Sequence, residues 1–391
     1  MAQVADPANL KPGVCIIGFP FAEIGLGEAM RSVVRSFVAA GITPSVVNFD
    51  PVLINLAQSD NSLAPLATKT LDRRVNLFCL NGDHLGNAIG TFGPEVLQGR
   101  YNIVLPFWEL PQIPLRWQRP LRLMDEVWAP TEFIKDAVAR EELVPVVHMP
   151  LAVSLPSGLG QSMQIPMVRR GVRRRLGLPE EAFLFLFSFN LSSWSWRKNP
   201  RATVAAFQAA FPDVADRKAA LIIKTMGDGQ NGDDTAEWLA EVVKHDHRIA
   251  VVHGTMGRKE TLSLIGCCDC YVSLHRSEGF GLGIAEAMLF GRPVIATDYS
   301  GSRDFVSGEW GFPVPFTLAE VLEHEYPYYR PGQTWANADI DAAAAVMRRL
   351  VDDPSLASEI GERGRVFMER AHSHETVGRI MRERLEQLGF A

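Results

Sequence analysis

A strand, a glycine-containing turn and a helix follow one another in the second half of the chain, and this run most strongly constrains the fold. The apolar stretch Asp269–Leu274 contains β-branched and aromatic residues, which is typical of a buried strand. Helix-forming residues follow at Ile284–Phe290, and Gly291 stands where such a helix would end. The stretch Pro293–Thr297 then predicts another strand. A strand, a helix and a strand in this order predict a parallel βαβ unit.

The same alternation of apolar strands and helical stretches extends over most of the chain. In the first half, strands are predicted at Val14–Gly18, Thr43–Phe49, Val75–Leu80, Tyr101–Leu105, Glu126–Ala129 and Val146–Met149. In the second half, further strands are predicted at Phe183–Phe189, Ala220–Lys224, Ile249–Val252 and Cys270–His275. Leu151–Pro166 separates the two series, because it contains several prolines and glycines and has no long apolar periodicity.

The length of the chain agrees with this division. A chain of 391 residues is long for one hydrophobic core and sufficient for two domains. We therefore expect two doubly wound α/β domains, at residues 1–152 and 181–370. A linker with a short basic helix is expected at 153–180, and a C-terminal helix at 371–391.

Composition excludes several classes of function. The net charge of −6 argues against nucleic acid as a partner. Met1–Leu10 has neither a basic nor an apolar segment of a signal peptide, and the longest apolar run, near Phe183–Phe189, is far shorter than the roughly 20 residues of a membrane helix. We expect a cytoplasmic protein, and association with the inner face of a membrane stays open. Cys267, Cys268 and Cys270 match no zinc-ligand spacing, so no metal is expected there.

The glycine-containing turn has the properties of an anion site. A strand-to-helix turn aims backbone N–H groups and the positive helix end at a docked anion. Glu278 stands at the start of this turn, and Glu286 follows two helical turns further on. A diphosphate between two hydroxyl-rich groups would fit this arrangement, with a sugar hydroxyl on each carboxylate. The alternative is that the glycines serve tight packing only and that Glu286 is a solvated helix residue.

With its strand context, the run Ser277–Met288 resembles the Glu-x7-Glu signature of retaining GT-B glycosyltransferases, in particular glycosyltransferase family 4. The resemblance extends over nearly the whole chain and is most specific in its second half. It implies two Rossmann-like domains facing a cleft, with the C-terminal helix crossing back to the first domain. It also implies that Glu278 orients the donor sugar and that Glu286 binds the ribose. The donor diphosphate would lie on the backbone of Gly279, Phe280, Gly281 and Leu282.

A lysine in the loop Phe189–Pro200 strengthens the resemblance. The family places a lysine in this loop against the donor diphosphate, and Lys198 matches it. A cation there would stabilise the charge on the departing nucleotide. The family usually has an arginine five or six residues earlier, where this chain has Ser192 and Ser193. Arg197 is the nearby arginine. Which residue neutralises the charge of the second phosphate stays open.

The first domain supplies weaker candidates. Gly25 and Gly27 follow the first strand and would let the backbone approach the donor phosphate or the acceptor. Glu109 follows a strand at the sheet edge where ligands bind in such folds, with Trp108 as a surface on which a sugar could stack. Many relatives have a histidine in this region. Glu109 or His84 would take its place here, and the choice between them stays open.

The resemblance implies a retaining glycosyltransferase that moves a hexose-type sugar from a nucleotide-diphosphate sugar to a hydroxyl acceptor. The leaving phosphate would take the proton, so neither a cofactor nor a metal is required. The donor would be a UDP- or GDP-sugar, and the acceptor a saccharide, a glycolipid or a polysaccharide precursor. Two alternatives stay open, namely a nucleotide-sugar epimerase of the same fold and a non-catalytic nucleotide-sugar-binding protein.

Two further segments contain motifs that occur in functional sites. Arg116–Arg122 interleaves basic and aromatic residues, which suggests peripheral contact with anionic lipid and a lipid-linked acceptor. Asp339 and Asp341 form the Asp-x-Asp pattern of metal-dependent transferases of a different fold. They precede a helical stretch instead of ending a strand, so we expect a helix cap or first-turn acids and no metal.

Overall fold

The computed structural model describes residues 2–49, 60–229 and 233–390, and the chain divides into two compact units. The first unit comprises Met1–Ser154 together with Arg370–Ala391, and the second comprises Leu155–Glu369. Each unit contains a six-stranded sheet in which every neighbouring pair of strands is parallel. Helices follow the strands in both units, which is the Rossmann-like arrangement that the alternation predicted.

The first unit contains the following elements: β1 (Gln3–Val4), β2 (Lys11–Gly18), α1 (Gly25–Ala39), β3 (Ser45–Asn48), β4 (Thr70–Leu71), β5 (Arg73–Phe78), α2 (Gly82–Phe92), β6 (Tyr101–Val104), α3 (Leu115–Leu121), β7 (Glu126–Ala129), α4 (Glu132–Ala139) and β8 (Val146–His148). The order of strands in its main sheet is β3-β2-β5-β6-β7-β8. Strands β1 and β4 form a separate parallel pair.

The second unit contains α5 (Leu159–Ser162), α6 (Pro166–Arg175), β9 (Phe183–Asn190), α7 (Ser195–Lys198), α8 (Pro200–Ala210), β10 (Ala219–Met226), α9 (Thr235–His245), β11 (Ile249–His253), α10 (Arg258–Cys267), β12 (Cys270–Ser273), α11 (Leu282–Leu289), β13 (Val294–Thr297), β14 (Phe312–Val314), β15 (Phe316–Glu320), β16 (Thr334–Ala338), α12 (Ile340–Asp352) and α13 (Pro354–Ala371). Its sheet has the order β11-β10-β9-β12-β13-β14, and β15 pairs with β16 in an antiparallel hairpin. The chain continues into α14 (His374–Gln387).

Burial of both sheet faces explains the apolar strands. Phe185 and Phe187 of β9 and Leu221 and Ile223 of β10 belong to one buried core of the second unit. A parallel sheet covered by helices on both faces needs nearly continuous apolar strands, and the predicted strands had this character. Each strand predicted from the sequence has a counterpart in the structure. The short strands β1 and β4, the strand β14 and the β15–β16 hairpin were not predicted.

Each main sheet has one point where the strand order reverses. In the first unit the reversal lies between β2 and β5, and in the second it lies between β9 and β12. Ligands of open α/β sheets bind outside the carboxyl ends of the strands at this switch point. The loops after these four strands are therefore the first places in which to look for a site.

The helix α14 packs on α1 within the first unit. A Cβ on Gly378 would lie 2.1 Å from the Ser36 carbonyl oxygen, so the two helices approach closely. His374 Nδ1 is 3.1 Å from Ser36 Oγ, and the Arg384 guanidinium pairs with the buried carboxylate of Glu126. The prediction that the C-terminal helix returns to the first domain is thereby confirmed.

Candidate functional site

The loops after β9 and β12 meet at the switch point of the second unit. Gly281 has a φ of +96° and is the N-cap of α11, which is a left-handed conformation that glycine adopts without strain. A Cβ on Gly301 would lie 2.2 Å from the Gly279 carbonyl oxygen, so the loop after β13 packs directly on the glycine turn. Ser300 itself has a φ of +62°, a strained conformation for a residue with a side chain. This close packing fixes the turn that carries Glu278.

Glu278 is held by its backbone and by two cations. Its amide donates to Ser300 Oγ at 2.8 Å, and its carbonyl accepts from the Gly301 amide at 2.9 Å. Lys198 Nζ lies 2.5 Å from one carboxylate oxygen, and Arg197 Nη1 lies 3.1 Å from the other. Burial would raise the pKa of Glu278, but the charges of Lys198 and Arg197 outweigh it and lower the pKa to about 2. Glu278 is therefore a carboxylate at any working pH.

Arg197 is the second cation of this cluster, and its side chain is only 4% exposed. Besides Glu278, it donates to the Ser277 carbonyl at 3.0 Å and to Ser193 Oγ at 3.0 Å. Trp194 and Asn199, which flank the short helix α7, both have positive φ angles. This strained backbone turns two successive side chains, Arg197 and Lys198, toward the same carboxylate. The family's usual arginine is absent from positions 192 and 193, and Arg197 supplies a second positive charge beside Lys198.

Glu286 is buried on α11, with 3% of its side chain exposed. Arg258 Nη1, from the first residue of α10, lies 2.5 Å from Glu286 Oε1. The alternative of a solvated helix residue is therefore wrong. Arg258 was not among the predicted site residues. Its signal is an arginine in the first turn of a helix, where a positive charge opposes the helix dipole.

His275, two residues after the end of β12, was also missed. It is fully buried, and burial lowers its pKa to about 4, so the imidazole is neutral. Its Nδ1 is 3.0 Å from Ser273 Oγ, and its Nε2 is 3.2 Å from the Tyr299 carbonyl oxygen. The ring therefore connects β12 to the loop that carries Ser300, and it acts on the site by positioning that loop.

The β15–β16 hairpin supports the same loops through Arg276. The guanidinium lies over the buried ring of Trp335, 5.0 Å from its centroid, and pairs with Glu325 at 3.1 Å. The backbone of Arg276 accepts from the Ala336 amide and donates to the Arg197 carbonyl. Arg276 thus fixes the backbone immediately before Ser277 and Glu278 against the loop that carries Lys198.

In the first unit, the two candidate glycines are part of α1 and not of a loop before it. The helix begins at Gly25. Gly25 is exposed, and a Cβ there would have nothing within 4 Å. A Cβ on Gly27 would lie 2.2 Å from the Ala22 carbonyl oxygen, so Gly27 is needed for packing of the helix start on the preceding loop.

The structure brings His84 and the loop that carries Glu109 to the same sheet edge. The His84 ring packs edge-on against Phe19 at 5.2 Å, and burial lowers its pKa. Asn81 Oδ1 accepts from the Phe107 amide at 2.9 Å, which ties the loop after β5 to the loop after β6. Glu109 is half-buried within the latter loop.

The expected stacking role of Trp108 is wrong. Trp108 is 1% exposed, packs against Trp117 with ring centroids 4.9 Å apart, and donates from Nε1 to the Gln112 carbonyl. Trp117 is equally buried, so the basic segment around α3 presents no tryptophan at the surface. Its exposed residues are Leu115, Arg116, Arg119, Arg122 and Leu123.

The Asp-x-Asp pattern caps a helix. Asp339 is the N-cap of α12 and accepts from the Ala342 amide at 2.9 Å, and Asp341 lies in the first helical turn. Within residues 2–49, 60–229 and 233–390, no three His, Cys, Asp or Glu side chains group together as metal ligands would. None of the helices in these same ranges is long and apolar enough to cross a membrane.

Comparison with known proteins gives one family and several relatives. Residues 193–353 match the family model "Glycosyl transferases group 1". A D-inositol 3-phosphate glycosyltransferase of Stackebrandtia nassauensis is 26% identical over 149 residues, which is 37% of this chain and 33% of the relative. The enzyme of the same name from Streptomyces avermitilis is 25% identical over 197 residues, 49% of this chain and 37% of the relative. The chain thus matches about a third of the length of these curated relatives.

Solved structures resemble the chain over nearly its full length. HepE from Anabaena, solved with UDP-glucose, has a TM-score of 0.68 at 15% identity, with 96% of this chain and 100% of that chain covered. Sucrose-phosphate synthase from Thermosynechococcus elongatus has a TM-score of 0.66 at 16% identity, with 97% and 99% covered. At these identities the likeness establishes the fold, which is GT-B, as the resemblance implied.

Proposed function

We propose that the chain is a retaining glycosyltransferase that uses a nucleotide-diphosphate sugar. The premise is that residues 193–353 match the group 1 glycosyl transferase family. The observation that carries this proposal is the cluster of Lys198, Arg197 and Glu278 at the switch point of the second unit. Fixed cations beside a glycine turn and a helix start suit a diphosphate leaving group. A second carboxylate, Glu286, lies about one turn into α11 and would accept from the ribose.

The bound donor would share the cations that now hold Glu278. Its diphosphate would lie against Lys198 and the amides of Gly279–Leu282, while the Glu278 carboxylate would accept from sugar hydroxyls. In the transfer step the bond between the anomeric carbon and the β-phosphate oxygen breaks, and its electron pair stays on that oxygen. The acceptor hydroxyl bonds to the same face of the anomeric carbon and gives its proton to the leaving phosphate. The two cations stabilise the charge that develops, so the proposal requires no metal.

The finer specificity is part of the same proposal. The donor would carry a hexose on UDP or GDP, and UDP is tested first because HepE from Anabaena was solved with UDP-glucose. A saccharide, a glycolipid or a polysaccharide precursor would be the acceptor. Glu109 or His84 of the first unit would contact its hydroxyl, and the exposed N-terminus of α1 at Gly25 would approach a phosphate.

Peripheral membrane contact is a separate prediction. The exposed Arg116, Arg119 and Arg122, with Leu115 and Leu123 beside them, would contact anionic lipid. Co-sedimentation with vesicles of neutral or anionic lipid tests it. Binding that does not depend on anionic lipid, or is unchanged in the triple Arg→Gln variant, would contradict it.

Calorimetric titration with UDP, GDP and ADP, without and with magnesium, tests the donor site. We expect one nucleotide to bind without magnesium and Glu286→Ala to weaken it roughly tenfold or more, since hydrogen bonds to a charged group are lost. The exposed acid Glu359 provides the control, because Glu359→Ala should leave the affinity unchanged. Absence of binding to all three would contradict the proposed donor site. Conversion of the donor sugar without acceptor would instead indicate an epimerase, and NMR of the product anomer tests retention.

A further inference from the structure

The ion pair between Arg258 and Glu286 is a feature that the proposed function does not explain. Glu286 is buried at 3% exposure, whereas the Arg258 side chain is 25% exposed. The guanidinium therefore lies at the edge of the buried carboxylate and is open to solvent on one side. Arg258 belongs to α10 and Glu286 to α11, two helices that pack against each other in the second unit.

The position of Arg258 is unfavourable for the helix that carries it. The first residue of a helix favours acidic side chains, because the N-terminal end of the helix dipole is positive. Glu260 in the same turn accepts from the Gly257 amide and so caps the helix start without help from position 258. The arginine is thus not needed for the helix start, and its side chain is directed to Glu286 instead.

We propose that Arg258 is a positioning residue of the nucleotide site, which holds the carboxylate of Glu286 in the orientation that accepts ribose hydroxyls. This inference rests on the proposed role of Glu286. A carboxylate has about four acceptor positions, so it accommodates the guanidinium and ribose hydroxyls at the same time. Without Arg258, a buried carboxylate loses the ion pair that fixes its rotamer, and a ribose would have to order it on binding.

Discrimination between ribose and deoxyribose is the measurement that separates positioning from general structural support. The probes are UDP, 2′-deoxy-UDP and 3′-deoxy-UDP, together with GDP and its deoxy forms, titrated by calorimetry into the full chain. In the wild type we expect at least one deoxy form to bind roughly tenfold more weakly than its parent, because a hydrogen bond to a charged group is lost. In Arg258→Ala we expect the parent nucleotide to weaken by roughly tenfold and the deoxy forms to change little.

Further variants test the assignment. Arg258→Lys keeps the charge and should restore part of the preference for ribose, whereas Arg258→Gln should not. Glu286→Ala should add little to the loss already present in Arg258→Ala, because the two residues act as one unit. Arg365 provides a matched control, since it is paired with a glutamate at 2.5 Å on α13, and Arg365→Ala should leave all affinities unchanged.

The outcomes separate the two hypotheses. If the wild type binds no nucleotide, the proposed function and the role of Arg258 fail together. If the wild type binds and discriminates, but Arg258→Ala weakens parent and deoxy forms by the same factor or not at all, only the role of Arg258 is overturned. Thermal unfolding identifies a variant that does not fold. Arg258→Lys and Arg258→Gln then decide, because both retain a long polar side chain beside Glu286.

Discussion

The switch points of the two units differ in charge although their sheets are built alike. In the second unit, the half-buried carboxylate of Glu278 contacts two cations, and the buried carboxylate of Glu286 pairs with Arg258. In the first unit, the corresponding loops present a histidine that burial keeps neutral, an aromatic contact with Phe19 and the half-buried Glu109.

Under the proposed function, this difference corresponds to two kinds of recognition. A diphosphate leaving group needs fixed positive charge before the reaction, which the strained loop that orients Arg197 and Lys198 would supply. A neutral acceptor hydroxyl needs hydrogen-bonding partners instead of several fixed cations, and His84 and Glu109 would serve as such partners. We therefore expect substitutions in the second unit to affect nucleotide binding and turnover, and substitutions in the first unit to affect acceptor use.

Loss of Lys198 should have the largest effect. Lys198→Ala removes a cation from the leaving group, and we expect turnover to fall by about 10²–10³-fold, the usual cost of removing one such donor. Transfer from the donor sugar, measured by release of the nucleotide, tests it. Lys244→Ala, in an exposed pair on α9, is the control and should retain full activity. Equal activity of the two variants would contradict the proposed role of Lys198 at the leaving group.

Glu278 should govern the acid stability of the second unit. Its pKa of about 2 lies below the ordinary value of 4.5, so its contribution to the free energy of unfolding is complete above about pH 4.5. That contribution is lost as the pH falls toward 2. Urea unfolding between pH 3 and 7 should therefore show a smaller acid loss for Glu278→Gln than for the wild type. Glu359→Gln, at an exposed position, should follow the wild type, and parallel curves for all three proteins would contradict the prediction.

Glycine substitutions compare the packing of the two switch points. Gly301→Ala places a Cβ against the Gly279 carbonyl, and we expect a loss of about 1–3 kcal/mol in stability, as for other overpacked sites. Gly25→Ala adds a methyl group in open space at the start of α1, so its stability should match the wild type. Thermal unfolding checks both. A tolerated Gly301→Ala would mean that the glycine turn is less tightly fixed than its packing indicates.

Glu109→Gln should give the smallest effect. Removing one charge from a half-buried loop acid should raise the KM for the acceptor by roughly 2–10-fold, as expected for one hydrogen bond. The KM for the donor should not change. Initial rates at varied acceptor and donor concentrations separate the two, with Glu142→Gln at an exposed position as the control. A change in the donor KM alone would contradict the proposed role of Glu109 in acceptor binding.

The parts of the site that were predictable are those encoded within one short segment. The strand, the glycine turn and the helix around Glu278 follow from local apolar pattern and helix-forming residues, and so does the position of Lys198 after a strand. The pairing of Arg258 with Glu286 depends on how α10 packs against α11, which no local pattern reveals. The burial of Trp108 likewise depends on Trp117, which belongs to a separate helix. Contacts between separate elements therefore account for most of what the sequence missed.

The packing of α14 on α1 determines the order in which the chain can fold as it is synthesised. The helix α14 begins roughly 335 residues after α1 ends at Ala39, so at about 5–20 residues per second the face of α1 that it covers waits about 17–67 s for its partner. During this interval the second unit, a continuous stretch of chain, emerges completely. The unit whose synthesis begins first is therefore the last to complete its core, and a nascent chain would need protection along α1 during that time.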